Sequence, residues 1–334
     1  MNEPHPVSSG ESISTEVSAG ADFRSMGSKR WIGGLGALGL LCLAFLPVFR
    51  EWYYIAMGSD LHSHVILIPV ISVYLLVTGR SGLAWDSNPS RGLGTSLIVG
   101  FLALLSWAFV ATGGWSIVDS TALKIFSFIG LVWGLCFLVL GKRWMGSALF
   151  PMAFLLFMIP LPDQVVLGVE KFLMVLSAQL SGVLFAVGGV PIFRNGQMLE
   201  LPGTVLEVAE ECSGIRSSWV LLITSTLASY MFLPTVPRRL VLVAAVLPLA
   251  ILRNSVRIFV IGWMCVNYGP EMIDHWVHRK GGPMFFAVSL VPLFLIAWLL
   301  RCWKVHGSDS KDSRGVEMPS TNHSDGKDFA TEER

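Results

Sequence analysis

The sequence predicts an all-α polytopic membrane protein, and three observations carry that expectation. Of 334 residues, 53% are hydrophobic and only 14% charged, with a mean hydropathy of +0.63. That is more apolar surface than one soluble core needs. The apolar residues are also gathered into stretches of roughly the 18 to 20 residues that a helix needs to cross a bilayer. A helix is the form such stretches take, because it satisfies its own backbone hydrogen bonds where no water can.

Taken in order, the first 29 residues are rich in Ser, Gly and Glu without apolar periodicity, and are expected to form a disordered tail. Eight spans follow, at 31–49, 62–79, 93–112, 121–140, 145–161, 215–233, 240–262 and 283–302. The first begins at Trp31 behind Arg24, Lys29 and Arg30. It lacks a small-residue cleavage site and reads as a retained anchor. Residues 164–192 are apolar but contain Glu170 and Lys171. They are read as an amphipathic or re-entrant segment on the outer face, not as a ninth span. From Val305 the chain turns rich in Ser, Asp, Lys and Glu. The expected organisation is therefore one transmembrane domain, 30–304, between cytoplasmic tails at 1–29 and 305–334.

Orientation follows from Lys and Arg. With the N-terminus cytoplasmic, the inner segments 1–30, 80–92, 141–144, 234–239 and 301–334 hold 15 of the 24 basic residues. Five lie in outer segments, and Lys124, Arg216, Arg253 and Arg257 lie within or at the edge of spans. This is the positive-inside pattern of a plasma (inner) membrane protein with both termini inside. A ninth span would put Arg238, Arg239 and the basic C-terminal tail outside. The net charge of +1 says nothing about nucleic acid, and no basic cluster suggests it as a partner.

The expected topology brings three kinds of reactive side chain to the outer face. Ala209-Glu210-Glu211-Cys212-Ser213-Gly214-Ile215-Arg216-Ser217 places a thiol, two carboxylates and a guanidinium just before an apolar helix. Free N–H groups and the positive dipole end at such a helix start favour a thiolate and can hold an oxyanion. Glu210 and Glu211 work against the thiolate, so a cationic partner is required. The alternatives for Cys212 are a surface thiol or a disulfide with Cys265. Cys42, Cys136, Cys265 and Cys302 lie in apolar spans or at their edges, where cysteine behaves as a small hydrophobe. Arg253-Asn254-Ser255-Val256-Arg257 interrupts an apolar helix, with the two arginines four apart on one face. An in-membrane arginine costs roughly 2.5 to 3.5 kcal/mol on insertion scales, so it calls for a cavity and a partner; the other reading is snorkelling to the headgroups. His275 and His278, beside Asp274, share one side of a helical turn and suit a general base near neutral pH, or merely decorate the interface. A zinc site of Cys212, His275 and His278 lacks the usual paired-ligand spacing. Neither metal nor cofactor is expected.

Glu210-x-Cys212-Ser213-Gly214-x-Arg216, Asn254-x-x-Arg257 and His278-x-x-x-Gly282 resemble, in order and spacing, the three signature blocks of the exosortase and archaeosortase family of membrane-embedded sorting enzymes. Ser63-His64, Phe157-Met158-Ile159-Pro160-Leu161-Pro162 and Gly189-Val190-Pro191 through Gly196 add to the likeness, which covers roughly residues 50–300. The resemblance implies a cysteine-dependent protease or transpeptidase. Its partners would be exported proteins whose C-terminal tail joins a short motif such as Pro-Glu-Pro, a hydrophobic span and a basic end, together with the lipid bilayer and extracellular polysaccharide machinery. Cys212 would attack the scissile carbonyl, Arg257 would stabilise the thiolate or oxyanion, and His278 would shuttle the proton. Glu210, Ser213, Gly214, Arg216, Arg253 and Asn254 would support them. Two departures stand out: Arg253 is an additional arginine in the second block, and His275 competes with His278.

Two other classes remain. A glutamate-dependent intramembrane protease would use Glu210 and Glu211, although Arg216 falls one residue late for a Glu-Glu-x-x-x-Arg pattern. A transporter, or a subunit of a polysaccharide export system, would use Arg253 and Arg257 as an anion site.

Overall fold

The computed structural model describes residues 32–59, 61–79, 89–111, 113–196, 198–202, 204–207, 214–269, 271–272 and 282–303. The expected tails lie outside these residues. The described chain is helical apart from one small sheet. Its helices are α1 (Ile32–Ala44), α2 (Leu46–Gly58), α3 (Leu67–Thr78, entered through a 3-10 turn at Ser63–Ile66), α4 (Arg91–Ala111) and α5 (Ile117–Val139). They continue as α6 (Gly141–Ser147), α7 (Leu149–Phe154, leaving through a 3-10 turn at Leu155–Met158), α8 (Asp163–Val187), α9 (Ile215–Phe232), α10 (Val236–Ala244), α11 (Val246–Tyr268) and α12 (Gly282–Cys302).

Five helices are long and apolar enough to cross a membrane, or six if the pair α1–α2, bent by 63°, is one span. The expected eight are not all present as uninterrupted crossings, and proline explains much of the difference. A proline ring clashes with the carbonyl four residues back and supplies no N–H. The breaks at Phe45 and Ala148 fall two and three residues before Pro47 and Pro151, whereas across Ala245, three residues before Pro248, the chain continues as one 33-residue candidate span, Val236–Tyr268. The span expected at 145–161 is consequently divided among α6, α7 and a 3-10 turn, leaving Leu149–Met158 too short to cross. The stretch Ser63–Thr78 is short as well.

The segment expected to be re-entrant differs more. Residues Asp163–Val187 form one unbroken 25-residue helix, whose mean hydropathy of 1.4 is the lowest of the five candidate spans. After it comes an antiparallel sheet, β1 (Phe193–Asn195), β2 (Met198–Leu201) and β3 (Thr204–Glu207), in the order β1-β2-β3. The all-α expectation missed this sheet. It has a turn at Gly196, in the left-handed conformation at φ +63, and β2 alternates exposed Met198 and Glu200 with buried Leu199 and Leu201.

Helix packing sets the levels of the bundle. The side chain of Ser116 accepts from Asp119 N at 3.0 Å to cap α5. Asp119 Oδ1 in turn accepts from Asp163 N at 2.9 Å, so α5 and α8 begin at one end. The hairpin of α4 and α5 is close because glycines line it: a Cβ on Gly130 would stand 2.3 Å from the Phe101 ring, and one on Gly134 would stand 2.7 Å from Ile98. Lys124, buried within α5, donates to Glu51 Oε2 of α2 at 3.1 Å, which gives this in-span charge its partner.

The helix α9 runs antiparallel to α7, with Trp219 against Phe157 at 5.9 Å and Tyr230 stacked on Phe150 at 3.7 Å. It lies beside α10, where Ser225 Oγ donates to Leu242 O. A leucine-rich core, Leu221, Leu233, Leu242, Val246 and Leu293, joins α9, α10, α11 and α12. At Gly214 α9 stops, whereas α11 continues from Asn254 to Tyr268, about 20 Å further at 1.5 Å per residue. The second half of α8 accompanies it in parallel: Ser255 Oγ donates to Ser177 O at 3.1 Å, and Phe185 meets Phe259 at 5.0 Å. Leu199 and Leu201 of the sheet join Met174, Ala178, Phe185 and Ile258 in one apolar cluster. A cap of α8, the sheet and projecting α11 therefore stands over the level at which α9 begins.

Candidate active site

Cys212, Glu210, Glu211, Ser213, His275 and His278 lie outside the described residues. What the structure does bring together is the flanking machinery. Gly214, the last residue before α9, has φ +70 and ψ 14, a left-handed conformation in which glycine carries no Cβ penalty. Across from it stands α11. Arg253 Nη2 donates to Gly214 O at 3.1 Å and to Ser218 Oγ at 3.0 Å. Ser218 Oγ and Ser217 Oγ also donate to Gly214 O, at 2.8 and 3.2 Å. Four donors thus converge on one carbonyl, since Ser218 N reaches it at 3.0 Å as well. Asn254 is buried beside the same glycine.

The first and second blocks read from the sequence are therefore in contact at Gly214, Arg253 and Asn254, although 39 residues separate Gly214 from Arg253. Arg257 is half-buried one turn along α11, and Arg216 is exposed. Spacing puts the two block-two arginines on one helix face; burial separates them. Cys265, the expected alternative disulfide partner, carries a free thiol and is buried. Among the described residues no cluster of His, Cys, Asp and Glu has the geometry of a metal site.

A second set of contacts holds the other side of the α9 start. Trp219 Nε1 donates to His64 Nε2 at 3.0 Å, and the rings lie edge to face at 6.4 Å. With Phe157 also against Trp219, the residues Ser63-His64 and Phe157–Pro162 are gathered near the first turns of α9. His62 is buried in the same connection, its Nδ1 3.2 Å from Ser59 Oγ. Trp219 and Ser218 were missed by reading the sequence. No local signal points to them, because their partners lie 155 and 35 residues away.

These contacts carry two predictions. A Cβ on residue 214 would stand 3.1 Å from Arg253 Nη2 and 3.2 Å from Asn254 Oδ1, and the left-handed backbone itself costs about 1–2 kcal/mol for other residues. Gly214→Ala is expected to lower stability by about 2–3 kcal/mol in all, seen as a lower unfolding midpoint in detergent. Trp219→Phe keeps a ring against Phe157 but deprives His64 Nε2 of its donor. The same measurement should show a smaller loss, about 1 kcal/mol.

No curated protein and no solved structure matches the chain. The model of one family does, described as Transmembrane exosortase (Exosortase_EpsH), over residues 52–295. That range takes in α3 through α11 and most of α12, including both sets of contacts around Gly214, and it is well over half of the sequence. The chain belongs to the transmembrane exosortase family.

Proposed function

We propose that the protein is a membrane-embedded cysteine protease or transpeptidase that removes the C-terminal sorting signal of exported proteins through a thioacyl intermediate. One observation carries the reading: the carbonyl of Gly214, two residues after Cys212, is bound by Arg253, which is followed by Asn254 and, one turn on, by Arg257. A nucleophile loop and a basic helix face are thereby coupled in a family whose name is that of sorting enzymes. In the reaction, Cys212 Sγ attacks the scissile carbonyl as His278, or His275 in its place, takes the thiol proton. Arg257 stabilises the negative charge that forms. The proton passes to the leaving amine, and the thioester is then opened by an acceptor nucleophile or by water.

The outer (periplasmic) side of the plasma membrane is the proposed location. Residues 163–207 leave the bundle where Asp163 meets Asp119 and return where Trp219 meets His64 and Phe157. Trp219 and Phe157 share that end, and seven residues from Glu207 to Gly214 reach at most about 25 Å, so this excursion is read as a return to its starting side. With the bias of Lys and Arg toward the inner segments, that side is the outer one.

The test is co-expression with a secreted reporter ending in Pro-Glu-Pro, one apolar span and several arginines. A product shortened at the motif, seen by mass spectrometry, supports the reading; an intact reporter with every such tail counts against it. A membrane-impermeant maleimide should label Cys212 in cells whose outer barrier is permeabilised. Labelling from the cytoplasm alone would reverse the orientation.

A further inference from the structure

His64 sits in the 3-10 turn ahead of α3, outside the five candidate spans, and its Nε2 accepts the hydrogen bond from Trp219 Nε1 at 3.0 Å. An indole nitrogen can only donate, so the imidazole must be neutral and carry its proton on Nδ1. That Nδ1 is buried without a hydrogen bond among the described residues. A second proton would have to enter at Nε2, where it would meet the Trp219 N–H head on and leave a desolvated imidazolium. The contact therefore exists only in the neutral form. Burial pushes the imidazole from its ordinary value of 6.5 down to about 4, an effect that the Leu61 backbone opposes and His62 reinforces.

The contact also joins elements that are far apart in sequence. Trp219 belongs to the first turns of α9 and packs against Phe157 in the turn after α7, so His64 ties one flank of the α9 start to two other connections. The other flank is held by Arg253, through Gly214 O and Ser218 Oγ, and no group in that clamp changes charge near neutral pH. The remaining ionisable groups at this end act elsewhere. On α8, Asp163 acts on His62, and on α5, Asp119 accepts from Asp163 N. Glu51 of α2 is paired with Lys124 of α5. Arg216 of α9 is exposed, Arg257 lies one turn beyond Arg253 on α11, and Leu149–Met158 contains no ionisable residue. Asp60 lies outside the described residues.

We propose that the His64–Trp219 contact is an acid-sensitive latch on the start of α9: it is closed while His64 is neutral and opens as the medium at this end of the bundle turns acid, freeing one flank of the helix while Arg253 keeps the other. The direction follows from proton linkage. The closed latch holds its histidine below the value of a free imidazole, so it binds fewer protons than the open one. Acid therefore favours opening from about pH 6.5 downward, until the closed form itself takes up the proton near 4. At about pH 5 the closed-to-open ratio should have fallen about thirtyfold. The proposed orientation decides only which compartment the latch senses, and the device does not depend on the cysteine mechanism.

The experiment uses the full chain in phospholipid nanodiscs and needs no substrate. Amide hydrogen exchange is followed by mass spectrometry at about pH 7.5 and about pH 5, with labelling times scaled so that an unfolded chain exchanges equally at both. Peptides covering 61–67 and 214–222 should lose about thirtyfold in protection at the lower pH, while the α4–α5 hairpin keeps its own. His64→Gln places an amide oxygen near the Nε2 position and takes up no proton in this range. It should keep the protection seen near neutrality and lose the response to acid. Equal protection of 214–222 at both pH values in the parent overturns the proposal, and so does a response that persists undiminished in His64→Gln. If that variant does not fold, His62→Gln decides. It leaves His64 as the one histidine of the connection, so the thirtyfold response should remain; its disappearance would assign the response to His62 and overturn the latch.

Discussion

Replacing Cys212 by alanine is expected to abolish processing of a tripartite-tailed reporter while leaving the protein inserted in the membrane at its usual level. The size of the effect follows from what is lost. A covalent route divides one difficult acyl transfer into two easier ones, and removing the nucleophile of such a catalytic unit lowers turnover by roughly four to six orders of magnitude. None of the described thiols is placed to substitute: Cys265 is buried, Cys42 and Cys136 lie within α1 and α5, and Cys302 ends α12. Cys212→Ser should be nearly as inactive, since a hydroxyl is ionised far less readily than a thiol beside the same cations. The measurement is reporter cleavage by mass, alongside immunodetection of the variant in the membrane fraction. Full processing by Cys212→Ala would sink the cysteine mechanism and turn attention to Glu210 and Glu211. Conversely, Glu210→Gln and Glu211→Gln should leave a measurable rate if those carboxylates orient and tune without reacting.

How much of this was legible in the sequence depended on the range of the interaction concerned. The hairpin of α4 and α5 was readable from hydropathy alone, because its apolar runs at 93–112 and 121–140 are continuous and nearly match Arg91–Ala111 and Ile117–Val139. The same holds for α12, where the expected 283–302 stands against Gly282–Cys302; α9, Ile215–Phe232, matches the bounds expected at 215–233 but is not among the helices apolar enough to cross. Hydropathy could not show that the runs around Pro47 and Pro151 are broken. A proline barely changes the mean of a window, yet it removes one hydrogen bond and creates one clash. The local rule for proline, applied residue by residue, would have divided those runs. The sheet is a different case. Its strands are three or four residues long, and its burial alternation depends on Met174, Ala178 and Phe185, which come from a helix that composition marks as a membrane span.

Within the candidate site, the polar interruptions at Gly214 and at Arg253-Asn254 stood out because apolar helices do not tolerate them without a reason. Their mutual contact could be expected only from topology. Which arginine touches the glycine could not be read at all: Arg253 and Arg257 share a helix face by spacing, and only the packing of α9 against α11 buries the first more deeply than the second. Trp219 and His64 show the same limit, for neither stands out from its neighbours until the fold closes the gap of 155 residues between them. Chemistry that depends on composition was legible, and chemistry that depends on closure was not.

Arg257→Lys is expected to lower turnover of the reporter by about two to three orders of magnitude, the loss seen when one preorganised donor to a developing oxyanion is removed. The substitution keeps the positive charge, so a purely Coulombic role predicts little change. It discards the planar fork, whose donors address two lone pairs at once with little reorganisation, and replaces it with a compact, strongly hydrated ammonium. Arg257 is half-buried, one turn beyond the arginine that binds Gly214, which keeps it close to the start of α9. Because the oxyanion exists only along the reaction path, the loss should appear in kcat, with KM nearly unchanged. Arg257→Met should be worse again, since it removes charge and fork together. Turnover unaltered in Arg257→Lys would argue against guanidinium stabilisation, and a rise in KM with kcat intact would move Arg257 from the transition state to ground-state binding of the tail.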